Sequence, residues 1–578
     1  VYGHSFGAHS REGVKPMLLQ MLTKQRISRR RAIASGTAAA GAAALAAACG
    51  GRQTVGTRST TGSGQPKAGG DYYGAISTDP ANFDPTGKPL QLENASFLEA
   101  AYDALLAAKL GPDVKFNTAV IQPALADKWE IPDPQTYTFH LHPGVKWQNL
   151  PPVNGRAFTA ADAKWSIEYQ ARIDQFKGSQ YEGKTLPPSL NDSFYTGIDR
   201  IDTPDANTLV VHFSSPFAPF LNYMALPRSS LLAHEVFDKD GHFMNTLVGT
   251  GPWQLDVPAT KPGSRWLMRK NPNYYQSGHP YIDRLNYLVL SDEATNIAGF
   301  KTKQVDLLNQ IFVTPVTAPQ IQKDNPNAVM YQYDNTSGGL LFENVRKAPL
   351  NDVRVRKAIS LSIDRDAYSK TFYAGKGQPA VVGAGPGFFS ADEVKQFTKY
   401  DPDQAKQLIA QAGYPNGLDI EMHFPGTDRG QSYISVIQWI QSQLKDANIN
   451  VKLESFDSAT FGKRQRSGDF QLDFEAKPVV GDIDGYVYYN WYSKSVGNFG
   501  GVADPKLDAL LDAQRAEVDT KKRDAVLRQV AQYINDQAYY TAFSYGVGWY
   551  FWQPVLKNFA PNVARQAPPL NNAWVDRG

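Results

Sequence analysis

The chain has 578 residues, 42% hydrophobic, 20% charged and 12% aromatic, which describes a folded body sized for two to four domains. Its formal net charge of +3 resides in the first 48 residues, where seven Lys/Arg face only Glu12; the remainder holds 52 basic and 55 acidic residues and offers no argument for nucleic acid. The single cysteine, Cys49, excludes an internal disulfide and a cysteine metal site, and nothing beyond residue 50 is apolar for the ~18 residues a membrane span needs.

Residues 24–49, KQRISRRRAIASGTAAAGAAALAAAC, have a basic start, an Ala-rich apolar centre and small residues before Cys49, the layout of an export signal. Leu45, Ala47 and Ala48 ahead of Cys49 resemble a bacterial lipobox, with the leucine one position early, so Cys49 is expected to be lipidated. Ser28-Arg29-Arg30-Arg31 resembles a twin-arginine signal, and Met17 or Met21 is a more natural start than Val1. Residues 50–70 are rich in Gly, Ser and Thr without periodicity, as a flexible tether is.

Along the body, 94–107 reads as a helix, and Tyr137, Phe139 and Leu141 alternate as a strand before a His142-Pro143-Gly144 turn. Thr159 with Asp162 forms a capping box for a helix carrying Trp165, Tyr169 and Ile173, and Leu209, Val211 and Phe213 alternate again. Gly249 to Trp253 punctuates a boundary, followed by strands and a helix near 293–302. From about 335 the pattern changes to strands alternating with capped helices. Asp401-Pro402-Asp403-Gln404 opens one helix. Leu418 to Phe424, Ile434 to Leu444 and Ile449 to Leu453 then predict a βαβ unit, whose ligands bind beyond the strand C-termini. Residues 469–493, DFQLDFEAKPVVGDIDGYVYYNWYS, hold seven aromatic and five acidic residues at such an exit. Aromatic faces beside a few carboxylates suit a ligand wall, although a core strand followed by a packed aromatic segment accounts for the same letters.

Four local matches carry no chemistry. Gly3-His4-Ser5-Phe6-Gly7 matches a nucleophile elbow but has no strand before it. Gly178 to Thr185 matches a P-loop letter for letter, yet a helix leads in and Leu186-Pro187-Pro188 follows. Asp482-x-Asp484-Gly485 lacks the flanking ligands of a calcium loop, and His140 with His142 lacks a third metal ligand.

Several blocks, in order, resemble the extracytoplasmic solute-binding proteins of peptide-type ABC transporters, family 5. These are residues 123–147 (PALADKWEIPDPQTYTFHLHPGVKW, with His142 where Arg or Lys is usual), Phe158 to Ala163, and Gly249 to Trp253. Asn344 with Pro349, Asp352 to Ala358 and Ile363-Asp364-Arg365 follow, then Tyr400 to Tyr414 and Gly468-Asp469-Phe470. The resemblance spans roughly residues 70–578. It implies an α/β, two-lobed periplasmic-binding-protein-like fold (type II, cluster C) with an extra α+β domain in the N-terminal lobe. Domain I would comprise 71–95, 245–335 and 546–578, domain II 96–244, and domain III, the second lobe, 336–545.

The same resemblance implies a non-enzymatic, monomeric receptor with no cofactor. It would be lipid-anchored outside the cytoplasmic membrane, taking a peptide or other small solute to an ABC permease with cytoplasmic ATPases. Tyr486, Tyr488, Trp491 and Tyr492 are the expected apolar or stacking contacts and Asp482 or Asp484 the charge anchor, with Phe83, Phe424 and Arg429 at the lobe edges. One departure stands out: the aspartate that pairs with a peptide's amino group in peptide-binding members is not in place near Val479, unless Asp482 or Asp484 substitutes. A receptor feeding signalling, or a chaperone-like binding module, is the alternative class; a lipid-anchored hydrolase lacks a nucleophile, a metal set and placed carboxylates.

Overall fold

A computed structural model describes residues 64–578 apart from 88–91, 117–118, 173–188, 190, 427–430, 479–481, 566 and 578. The leader, Cys49, most of the tether, both glycine-rich matches and Arg429 lie outside the described residues.

Alternation along the strands puts every second side chain into a core, and three main sheets result. In the first, Asp71–Ile76 pairs in parallel with Arg284–Val289, which continues antiparallel to Arg265–Lys270 and then Trp253–Leu255. The second is antiparallel, in the order Ala126–Asp133, Thr136–Leu141, Thr208–Phe213, Ile198–Asp205. Tyr137, Phe139, Leu209 and Val211 point into one core with Trp147 and Trp253. The helix Ala160–Ala171 covers this region, and both halves of its Thr159–Asp162 capping box are present.

The third sheet has six strands, in the order Gln378–Pro379, Tyr540–Trp552, Val329–Glu343, Leu472–Pro478, Leu418–Pro425, Ile449–Phe456. The βαβ unit forms as its periodicity predicts. Leu418, Ile420 and Met422 lie in parallel register with Ile449, Val451 and Leu453, and the helix Gln431–Lys445 packs Ile437, Ile440 and Leu444 against them. Asp401 caps the Pro402–Gln411 helix by accepting from the Gln404 N–H at 2.9 Å.

Two long strands link the regions. Val329 to Asp334 pairs with Val547 to Trp552, and Leu340 to Phe342 pairs with Tyr540 to Ala542. Register shifts separate the two stretches, at Asp334/Gly338 and Gly338/Leu340. The first stretch touches the first sheet, because Leu307 bridges both Gly74 and Trp552. Tyr333 crosses this junction against Gly548, where a Cβ would lie 2.3 Å from the ring.

The structure departs from the sequence expectations in two places. The helix read over 94–107 is Leu92–Ala101, because its last carbonyl is taken up from outside: Ala101 O accepts from Gly251 N at 2.9 Å and from Gln148 Nε2 at 3.2 Å. The chain then turns into the short strand Leu106–Ala108. In 469–493 the strand starts at Leu472 rather than at the segment's first residues, and the aromatic run forms the helix Asp484–Trp491. Side chains four apart then share a face, which pairs Tyr488 with Tyr492 and Val487 with Trp491. No helix among the described residues is long and apolar enough to cross a membrane.

Candidate functional site

The Asp484–Trp491 helix divides its aromatic residues between two environments. Tyr486, Val487 and Trp491 turn into a core with Phe470, Leu507, Leu511 and Val530. Trp491 is 0% exposed and packs on Tyr540 and Tyr486 with ring centroids 5.1 and 5.4 Å away. Its ring is therefore enclosed by protein. Tyr488 and Tyr492 stay half-buried and stack at 4.2 Å with their planes 15° apart. They line a groove of about 640 Å³ with Tyr489 and Lys494, facing Ser193, Tyr195 and Ser214 from the antiparallel-sheet region.

Both candidate carboxylates are buried and engaged. Asp482 accepts from Arg523 at 2.6 and 2.8 Å, from Asn222 Nδ2 at 2.5 Å and from the Asp484 N–H at 2.8 Å. Burial pushes its carboxyl up, but the Arg523 hydrogen bonds and charge outweigh burial and hold it below the usual carboxylate range. Asp484 accepts from Arg515 Nε and Nη2, both at 2.8 Å, from Tyr223 Oη at 2.5 Å and from Gln514. Burial, and then the charges of Asp484 and Asp482, raise the Tyr223 phenol well above its ordinary value, so it stays a donor. Arg515 also lies over the Tyr488 ring, 3.2 Å from its centroid.

The remaining candidates lie elsewhere. Phe83 packs edge-on against Phe97 and Trp266, and Phe424 is buried in the core of the βαβ unit. His140 and His142 face Glu130 and Asp127 at 3.3 and 3.9 Å, and no group of three metal-ligating side chains occurs among the described residues.

A further charge, Arg228, interacts with the groove residue Tyr489 and was missed by sequence reasoning. Its Nε donates to Asn191 Oδ1 at 3.1 Å, and Asn191 is held in turn by its own Nδ2, which donates to Arg228 O at 2.8 Å and to Gln170 Oε1 at 3.1 Å. Arg228 Nη2 is buried and has no hydrogen-bond partner among the described residues. Burial pushes the guanidinium down to about 10, against the opposing pull of Tyr489 and Asp84, so it remains charged at neutral pH. Tyr489 and Asp84 come from different parts of the chain, and Tyr489 also lines the groove. A buried, held guanidinium edge with nothing to bind is a donor set for a carboxylate or another oxyanion.

Arg228 carries no sequence signal, but Arg515 and Arg523 do. Each falls on an apolar i+4 stripe, Leu507–Leu511–Arg515 and Arg523–Leu527, where an arginine implies a buried partner.

Residues 120–499 match the family described as bacterial extracellular solute-binding proteins, family 5 Middle. This chain belongs to that family. It is 27% identical over 448 residues to the dipeptide-binding protein of Escherichia coli K12, covering 74% of this chain and 81% of that one. It is 25% identical to heme-binding protein A of Haemophilus influenzae, covering 83% and 88%. Among solved structures, the periplasmic binding protein DppA of Helicobacter pylori in complex with the peptide STSA superposes with a TM-score of 0.75 at 24% identity, covering 88% of this chain and 99% of that one. The fold is thus the two-lobed family 5 architecture, and the relatives are binding proteins rather than enzymes.

Proposed function

We propose that the chain is the capture component of an ABC importer, closing two lobes on a small solute that carries an anionic group and passing it to a membrane permease with cytoplasmic ATPases. The observation that carries the solute class is the unpartnered Nη2 of Arg228, whose guanidinium is held by Asn191 and interacts electrostatically with Tyr489 and Asp84. A solute carboxylate placed there would replace a buried unsatisfied donor by a charge-assisted hydrogen bond. The relatives' named ligands agree with this reading, since dipeptides, the peptide STSA and haem all carry free carboxylates. Asp482 and Asp484 serve the wall rather than a solute amine, because protein donors already occupy them. The lobes we assign are 71–335 with 546–578, and 336–545; the register shifts at Asp334 to Leu340 support a hinge there. The lipobox-like run before Cys49 supports a lipid anchor on the extracytoplasmic side.

The test is a thermal-shift panel of Ala-Ala, Ser-Thr-Ser-Ala and haem on wild type and Arg228→Gln. A bound solute at ~100 times its Kd adds about 2.7 kcal/mol of stability. At least one such shift is expected in wild type, with its loss in the variant. A panel that stabilises both proteins equally, or neither, contradicts this reading.

A further inference from the structure

Asn222 and Tyr223 belong to the short helix Phe220–Met224 in the core of the antiparallel-sheet region, whereas Asp482 and Asp484 belong to the six-stranded sheet region. The side chains meet across 260 and 261 residues of sequence. We infer that this pair of contacts is a clasp that sets the protein's solute affinity without touching the solute. The inference rests on the two-lobe reading above.

Each half of the clasp is held by partners on its own side. Tyr223 stacks on Phe194 at 4.3 Å with the planes 10° apart, which orients its hydroxyl. On the other side, Arg515 and Arg523 grip the carboxylates by two hydrogen bonds each. The acceptors are therefore buried and already oriented by arginines, which is the arrangement in which a single hydroxyl or amide donor counts most. The backbone joins in: Ala218 N donates to Arg515 O at 2.8 Å, and the Arg515 guanidinium lies 5.1 Å from the Phe217 ring. All of these partners are protein groups, so the contacts need no solute to complete them. They bias the open–closed equilibrium toward closure on their own, and a solute adds its differential affinity to that bias. Apparent affinity scales with the fraction of binding-competent protein, so loosening the clasp weakens every solute by one common factor. A residue that touched the solute would instead weaken different solutes unequally.

Small-angle X-ray scattering of exhaustively dialysed wild type and of Asn222→Ala/Tyr223→Phe tests the clasp without any solute. A larger radius of gyration in the variant is expected; identical radii overturn the inference. Tyr223→Phe removes one oxygen, and a circular-dichroism melt checks that the double variant is folded. The second arm titrates Ala-Ala, Ser-Thr-Ser-Ala and haem into both proteins by calorimetry. Each binder should weaken by the same factor, roughly tenfold; losses that differ from solute to solute would place these residues in the binding surface and overturn the clasp. Arg228→Gln separates the two claims. It should leave the radius of gyration unchanged while losing the anionic solute, so failure of the solute reading leaves the scattering result standing.

Discussion

The Arg515 guanidinium donates to both oxygens of Asp484, and the same group lies 3.2 Å from the centroid of the Tyr488 ring. One cation thus neutralises the buried carboxylate at the start of the aromatic helix and holds the Tyr488–Tyr492 stack at its exposed face. Removing only one member of such a pair leaves an uncompensated buried charge. Arg515→Ala should therefore cost ~3–5 kcal/mol in urea unfolding. The double change Arg515→Met with Asp484→Leu should return most of that loss. Equal losses in the single and double variants would show that the pair is not the source.

Trp491 and Tyr492 sit side by side in sequence but should respond differently. Trp491 is fully enclosed, so Trp491→Ala should destabilise the fold by ~3–5 kcal/mol. Tyr492 is half-buried at the groove, and Tyr492→Ala should cost far less. Denaturant midpoints on the two variants give the comparison directly.

Glu343 gives the fold a pH dependence of known sign. It is 0% exposed, accepts from Thr541 Oγ1 at 2.7 Å, and burial pushes its carboxyl up to about 8, with Thr541 and Arg356 opposing. Between the ordinary glutamate value and about 8 the folded state holds a proton that the unfolded state has lost. Stability should therefore fall as pH rises through that window and level off above it. Glu343→Gln should flatten this slope and gain stability relative to wild type as pH rises from 5 to 8. Chemical melts at pH 5 and pH 8 measure both slopes.

The junction between the two halves of the long strand pair should resist any side chain at Gly548. A Cβ there meets the Tyr333 ring at 2.3 Å, and backbone pairing of Tyr333 with Gly548 prevents the strands from parting. Gly548→Ala should cost ~1–3 kcal/mol as overpacking. A Tyr333→Ala background should relieve part of it, as a double-mutant cycle would show.

Much of the fold was legible in the letters. Thr159 with Asp162 and Asp401 with Gln404 specified helix starts that form as expected, and the alternation of Leu418 to Phe424 and Ile449 to Leu453 specified a parallel pair. The end of the helix at Ala101 was not legible, because Gly251 and Gln148, far along the chain, take the Ala101 carbonyl. The aromatic segment was legible, but the partners of its carboxylates were not. Periodicity cannot tell that Asp482 and Asp484 are already answered by Arg523 and Arg515, since the partners lie 41 and 31 residues away. Arg228 shows only in three dimensions, because its distinction is a missing partner.

Matched ligands reveal whether Arg228 reads a solute's anionic group. Calorimetric titration of Ala-Ala and Ser-Thr-Ser-Ala, each as free acid and as C-terminal amide, into wild type and Arg228→Gln isolates that group. The free acid should bind wild type at least roughly tenfold more tightly than its amide, a charge-assisted hydrogen bond being worth ~1.5–3 kcal/mol, and Arg228→Gln should abolish the difference. Equal affinity of acid and amide for wild type would contradict this role of Arg228.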